Sequence, residues 1–173
     1  MHYRTSMALG AAAALGATPL AAAELQLKLE IPRLTVAEYH RPYVAMWIEK
    51  ADQGVAGNLA VWYEIKNKNN EGTKWLKDMR AWWRKTGRDL TLPADGLSSA
   101  TRAPGEHVLH FQGAKAPLDK LPAGDYQLVV EAAREVGGRE LVKVPFTWPP
   151  RAATTTSAKG EHELGAVSVT VKP

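Results

Sequence analysis

The chain has 173 residues, 45% of them hydrophobic and 23% charged, with a formal net charge of +4 and no cysteine. Without cysteine, disulfide frameworks, thiolate metal sites and thiol redox chemistry are excluded, so any electrons handled here must be carried by a bound cofactor. The basicity is mild and both charge signs are interspersed, which argues against a nucleic-acid partner and suits a small anionic cofactor or an acidic protein surface.

Residues 1–23 read as a secretory signal peptide. Arg4 supplies the basic start, an alanine-rich apolar run extends from Met7 to Leu20, and Ala21-Ala22-Ala23 offers a small-x-small cleavage site before Glu24. The run falls short of the roughly 20 residues that a membrane-spanning helix needs, and no later segment comes close. The expected product is exported to the periplasm and does not span the membrane. Residues 24–173 then form a single domain, large enough to bury a substantial core.

Apolar and polar residues alternate from Leu25 to Ile31, from Tyr43 to Glu49 and from Leu59 to Ile65, which predicts strands with one buried face. Between Asn67 and Gly72 the chain is polar and predicted to be flexible. The period then changes. Trp75, Leu76, Met79, Trp82 and Trp83 form one apolar helical stripe, with Thr73 as N-cap, Gly87 as a left-handed C-terminal cap and a helix of about four turns between them. Lys74, Lys77, Arg80, Arg84 and Lys85 lie on its other side, mostly as a solvated face, with docking of an acidic redox partner as the functional alternative.

Past this helix, Leu97 to Ala103, between Pro93 and Pro104-Gly105, shows neither strand nor helix period and reads as part of a loop. Asp125 to Arg134 and Arg139 to Trp148 read as strands joined through Gly137-Gly138, a two-glycine hairpin signal. Arg151 to Gly160, with its threonine run, reads as flexible, and Ala166 to Val171 as the last strand. About seven strands with a single mid-chain helix predict a mainly β protein: an antiparallel β-sandwich, immunoglobulin-like in broad architecture, with one inserted amphipathic helix that caps a sheet or closes an open end.

His40, His107, His110 and His162 are scattered. On a strand, His107 and His110 would face opposite sides and could not chelate one ion together, so no metal site is assigned. A hydrolytic triad from Ser98, His107 and Asp95 lacks a nucleophile elbow.

The stretch with the most specific chemistry is Asp95-Gly96-Leu97-Ser98-Ser99-Ala100-Thr101, followed by Arg102. It resembles the D-x-x-[ST]-G-A-T acceptor of the flavin-carrying subunits of sodium-pumping NADH:quinone reductases and Rnf-type complexes, with Ser99 standing where glycine is usual. The resemblance implies FMN attached to Thr101 through a phosphoester, delivered from FAD by a flavin transferase. Small neighbours allow the phosphate close approach, Asp95 would fix the turn as an Asx motif does, and Arg102 and Arg88 would face the phosphate. A tryptophan at the end of the helical stripe, Trp83 in particular, could stack on the ring, although such stripes are more often core.

Nearly all of residues 24–173 also resembles the domain of unknown function 2271 family of periplasmic proteins. The matching blocks include Leu59 to Tyr63, Lys74-Trp75-Leu76, Trp82-Trp83-Arg84, Gly87-Arg88-Asp89, Glu131 to Glu140 and Pro145 to Pro150. That resemblance implies association with extracytosolic flavin systems, including PepSY-type membrane reductases and iron-uptake genes. The expected function is a flavin-carrying electron-transfer protein, a redox carrier more than a stand-alone enzyme, reduced by a membrane partner. The alternative is a cofactor-free binding or adaptor module linked to iron or other metal uptake.

Overall fold

The computed structural model describes residues 22–173, so the expected signal segment lies outside them apart from its last two residues. Among the described residues, nine strands follow in chain order: β1 (Glu24–Ile31), β2 (Tyr43–Lys50), β3 (Val55–Tyr63), β4 (Ser98–Ala100), β5 (Gly105–Gln112), β6 (Gly124–Ala133), β7 (Arg139–Trp148), β8 (Thr154–Lys159) and β9 (Ala166–Lys172). They form a four-stranded sheet of order β5-β1-β9-β8 and a five-stranded sheet of order β4-β3-β2-β6-β7. The protein is mainly β and sandwich-like, as the alternation predicts. One ladder departs from the antiparallel expectation, because β4 runs parallel to β3.

The alternating residues build the core. Leu25, Leu27, Leu29 and Ile31 of β1 meet Val44, Met46 and Ile48 of β2 and Leu128 and Val130 of β6 between the sheets. Each side chain buried in this way contributes roughly 1.5–3 kcal/mol. β2, expected to bury one face, is buried on both, as is the second half of β3. Tyr43, Ala45 and Trp47 of β2 point away from the sandwich into a second cluster, roofed by Leu76, Met79 and Trp82. The inserted helical segment therefore caps the five-stranded sheet, one of the two placements expected for it.

The segment is not the four-turn helix that the stripe predicts. Lys68–Asp78 forms 3-10 turns, Met79 (φ −77°, ψ 73°) breaks the run, and α1 covers only Arg80–Lys85. Two observations bear on the difference. Trp75 turns outward and is 53% exposed, so it is not part of the buried stripe. The residues that are buried, Leu76, Met79 and Trp82, recur every third residue, the period of a 3-10 helix. Thr73 is no N-cap: its hydroxyl donates to the Asn70 carbonyl at 2.7 Å. Asn67 to Gly72, predicted to be flexible, begins these turns, with Asn69 and Asn70 in the left-handed region that asparagine tolerates.

Charged groups fasten this layer to the sheet. Glu131 of β6 accepts the backbone N–H groups of Ala81 at 3.1 Å and Trp82 at 2.7 Å, so α1 is capped from another strand. Lys85 at its far end lies 3.1 Å from the buried carboxylate of Glu49 on β2, which Lys143 of β7 also approaches at 2.7 Å. Burial opposes ionisation of Glu49, but hydrogen bonds from Lys143, Trp47 and Lys85 outweigh it and hold the carboxyl below its ordinary range. The indole N–H of Trp82 donates to Asn58 on β3 at 3.0 Å.

Gly87 is needed for close approach and not as a left-handed cap. Its φ is not positive, and a Cβ there would lie 2.5 Å from the Trp82 ring. Gly87→Ala should therefore cost about 1–3 kcal/mol by overpacking. Denaturant unfolding measures this, and an unchanged midpoint would show that Trp82 has room to yield.

Two further expectations change. The Thr154–Lys159 run is not flexible but forms β8, paired with β9 from Thr154↔Val171 to Lys159↔Ala166. Threonine is β-branched and suits an edge strand whose outer face meets water. The β6–β7 hairpin forms as expected, closed by Arg134 N–H to the Gly138 carbonyl at 3.0 Å, yet its left-handed residue is Val136 (φ 52°) and neither glycine.

Candidate functional site

The Asp95–Arg102 stretch lies along the edge of the five-stranded sheet. Ser98, Ser99 and Ala100, expected in an irregular loop, form β4 and pair with Val61, Trp62 and Tyr63. Ahead of them a turn is closed by the N–H groups of Leu97 and Ser98, both donating to the Ala94 carbonyl, with Gly96 left-handed at φ 73°. Ser98 fixes this turn, accepting the Ala94 N–H on its hydroxyl at 3.0 Å, whereas Asp95 is exposed. The turn thus has the side chain-to-backbone bond expected of it, made by the serine instead of the aspartate.

Ser99 is in extended backbone within β4, not in the left-handed region. Serine at this position therefore carries no conformational strain, and the departure from glycine leaves the local path of the chain intact. Ala100 and Thr101 are half-buried at the end of the strand.

Beyond Thr101 the chain is clamped. The Arg102 guanidinium lies over the Trp62 ring at 5.3 Å from its centroid, a cation–π contact. His107 of β5 meets the same indole edge to face at 5.5 Å, and its Nε2 lies 2.8 Å from the Ala103 carbonyl. Both residues after Thr101 are therefore tied to one tryptophan that is itself in the core.

A groove of about 370 Å³ opens here, between the edge strands β4 and β5 of the two sheets. Leu59, Trp62, Leu97, Leu109 and Phe111 give it apolar walls, and Ser98, Ser99, Arg102 and His110 supply the polar groups. Among the described residues no carboxylate lines it, and Arg102 sets its charge. The volume is at the lower end of the roughly 300–1,000 Å³ of ligand clefts. A larger cavity of about 630 Å³ opens at the other edge of the sandwich, near Pro145, Phe146, Pro149 and Thr156, and contains no residue of the Asp95–Arg102 stretch.

Two of the residues proposed from sequence are elsewhere. Trp83 packs in the cluster under the helical layer, on the opposite face of the sheet from Trp62. Arg88 is exposed beside Asp89 at 3.9 Å and does not line the groove. Sequence reasoning missed Trp62 and His107 as members of this site. A partial signal was present, since Trp62 lies in a continuous apolar run from Leu59 to Tyr63, but the parallel register that sets it opposite Ser99 is a tertiary property.

These features define a β-sandwich with an edge groove beside a hydroxyl-bearing strand end, roofed on one sheet by a short helical layer. The chain belongs to the family described as "Predicted periplasmic protein (DUF2271)", whose model matches residues 24–166. The protein is periplasmic, as the N-terminal segment predicts. Comparison with the curated proteins and with the solved structures gives no match. Among the described residues no helix is long and apolar enough to cross a membrane.

Proposed function

We propose that this protein is a periplasmic electron-transfer carrier with FMN attached to Thr101 through a phosphoester. The observation that carries the reading is the position of Thr101, which follows an edge strand between Ser99 and Arg102, two residues that line a cationic, apolar-walled groove, the second with its guanidinium over an indole. The residues fit the group. The diester phosphate keeps one negative charge, for which Arg102 is the adjacent counter-charge, and the extended Ser99 keeps the path of the acceptor strand without strain.

In the attachment step the Thr101 hydroxyl oxygen bonds to the FMN phosphorus of FAD, the pyrophosphate bond breaks, AMP departs, and the hydroxyl proton is released to the leaving group or solvent. The bound flavin supplies one- and two-electron transfer, while the protein positions it. A flavin transferase loads it, a PepSY-type membrane reductase is the proposed donor, and the exposed Arg80 and Arg84 of α1 suit an acidic redox partner, Lys85 being held by Glu49.

Intact mass tests the reading. Protein recovered from the periplasm of a host that co-expresses an exported flavin transferase should gain about 438 Da, one FMN less water. Thr101→Ala should lose the addition completely and keep its unfolding midpoint. Unmodified wild type, with the transferase active on a known acceptor, would favour a cofactor-free binding module.

A further inference from the structure

We propose that the flavin ring rests in the groove between β4 and β5, with the outer face of the Arg102 guanidinium as its floor; this depends on the flavin reading above. A tether on Thr101 alone would leave the ring free in solvent. The structure offers a specific seat next to that tether, since Ser99 and Arg102 on either side of Thr101 both line the groove.

Arg102 is the surface that the ring meets. Trp62 is only 2% exposed and has its face covered by the guanidinium, so a ring cannot stack on the indole without displacing Arg102. Arg102 is itself exposed and lines the groove while its guanidinium lies over Trp62. A planar, delocalised cation stacks on aromatic faces and hydrogen-bonds in its own plane, so it can support a flat heterocycle on one face while its in-plane N–H groups donate to other acceptors. Trp62, met by His107 edge to face at 5.5 Å, offers that cation a fixed surface to lie on. Leu109 and Phe111 of β5 form the facing wall, and apolar walls with a few polar groups are the usual composition of a heterocycle site. Arg102 is accordingly a positioning residue, acting on the ring through stacking and charge.

The experiment uses FMN-loaded protein, checked by mass, and follows quenching of flavin emission by iodide, with protease-digested samples as the fully exposed reference. Loaded wild type should be shielded relative to its digest. Arg102→Ala should move accessibility toward the digest, with the ratio of docked to undocked ring reduced about two- to fivefold, the size of one exposed cation–π contact. Arg88→Ala removes the same charge outside the groove and should behave as wild type. Loss of a cation lowers the local iodide concentration, so increased quenching in Arg102→Ala cannot arise from charge alone.

Wild type as accessible as its digest would overturn the seat while leaving attachment at Thr101 intact. A shielded wild type with an equally shielded Arg102→Ala would overturn Arg102 as the floor. Absence of the added mass in every sample would defeat the flavin reading itself, and the seat with it.

Discussion

Replacing Glu131 by alanine should destabilise the domain by about 3–5 kcal/mol, the range found when one partner of a buried charged network is removed. Glu131 is 0% exposed, on the face of β6 that carries Val129 and Ala133 toward the helical layer. Its two oxygens accept the Ala81 and Trp82 N–H groups, and Arg139 approaches Oε1 at 2.6 Å. Arg139 is 40% exposed and regains water when the carboxylate is lost. The Trp82 N–H cannot, since that residue is buried, and an orphaned buried donor costs about 1–3 kcal/mol. Glu131→Gln retains one acceptor oxygen and should recover part of the loss. Leu90, Leu92 and Leu97 pack against the same cluster, so freeing α1 also loosens the approach to β4. Denaturant unfolding of both variants is the measurement, and a loss below about 1 kcal/mol for alanine would mean that water replaces the cap.

How far the sequence discloses this molecule depends on how local each determinant is. β1 shows its burial plainly, because Leu25, Leu27, Leu29 and Ile31 alternate with polar residues and the period is the strand's own. The helical layer is half legible. The same tryptophans and methionine announce a covering segment, but whether it turns with three or 3.6 residues depends on contacts with β2 and β3 that no window of sequence contains. β8 is the opposite case, since its threonines have no apolar partner in sequence and become a strand through pairing with β9. At the site, the Asp95–Thr101 stretch is readable as a motif, whereas its acceptor-side neighbours are not. Trp62 and His107 join Arg102 only because β3, β4 and β5 bring three distant parts of the chain to one edge. Trp83 and Arg88 are close to the motif in sequence, yet neither lines the groove, and sequence proximity was a poor guide to that.

Acidification should weaken the sandwich through Glu140, and Glu140→Ala should reproduce much of the effect at neutral pH. Glu140 stands on β7 of one sheet and reaches the turn between β8 and β9 of the other, where it accepts the N–H groups of Glu161 at 2.5 Å, His162 at 3.1 Å, and Glu163 and Leu164 at 2.8 Å each. Four converging amides form an anion cradle that the protein fills with its own carboxylate. Burial opposes the charge on Glu140, but the four donors outweigh it and keep the carboxyl below its ordinary value. A carboxyl whose folded pKa is depressed contributes its stability fully above the unfolded value, about 4.3 for glutamate, and loses it as pH falls through the folded pKa. Stability should therefore be level from neutrality to about pH 5 and decline below it, with Glu49 adding to the decline for the same reason. The turn also positions Glu163, which holds Arg134 at 2.8 and 3.1 Å and the Gly138 N–H at 2.8 Å, so its release unfastens the β6–β7 hairpin as well. Glu140→Ala should cost about 2–4 kcal/mol at pH 7, as expected when several charge-assisted hydrogen bonds are removed together. Its stability should then vary less with pH below 5 than that of the wild type, because one of the carboxyls that must be protonated is gone. Parallel pH profiles would decide against this latch between the sheets, since a wrong assignment would leave the acid limb of the variant as steep as that of the wild type.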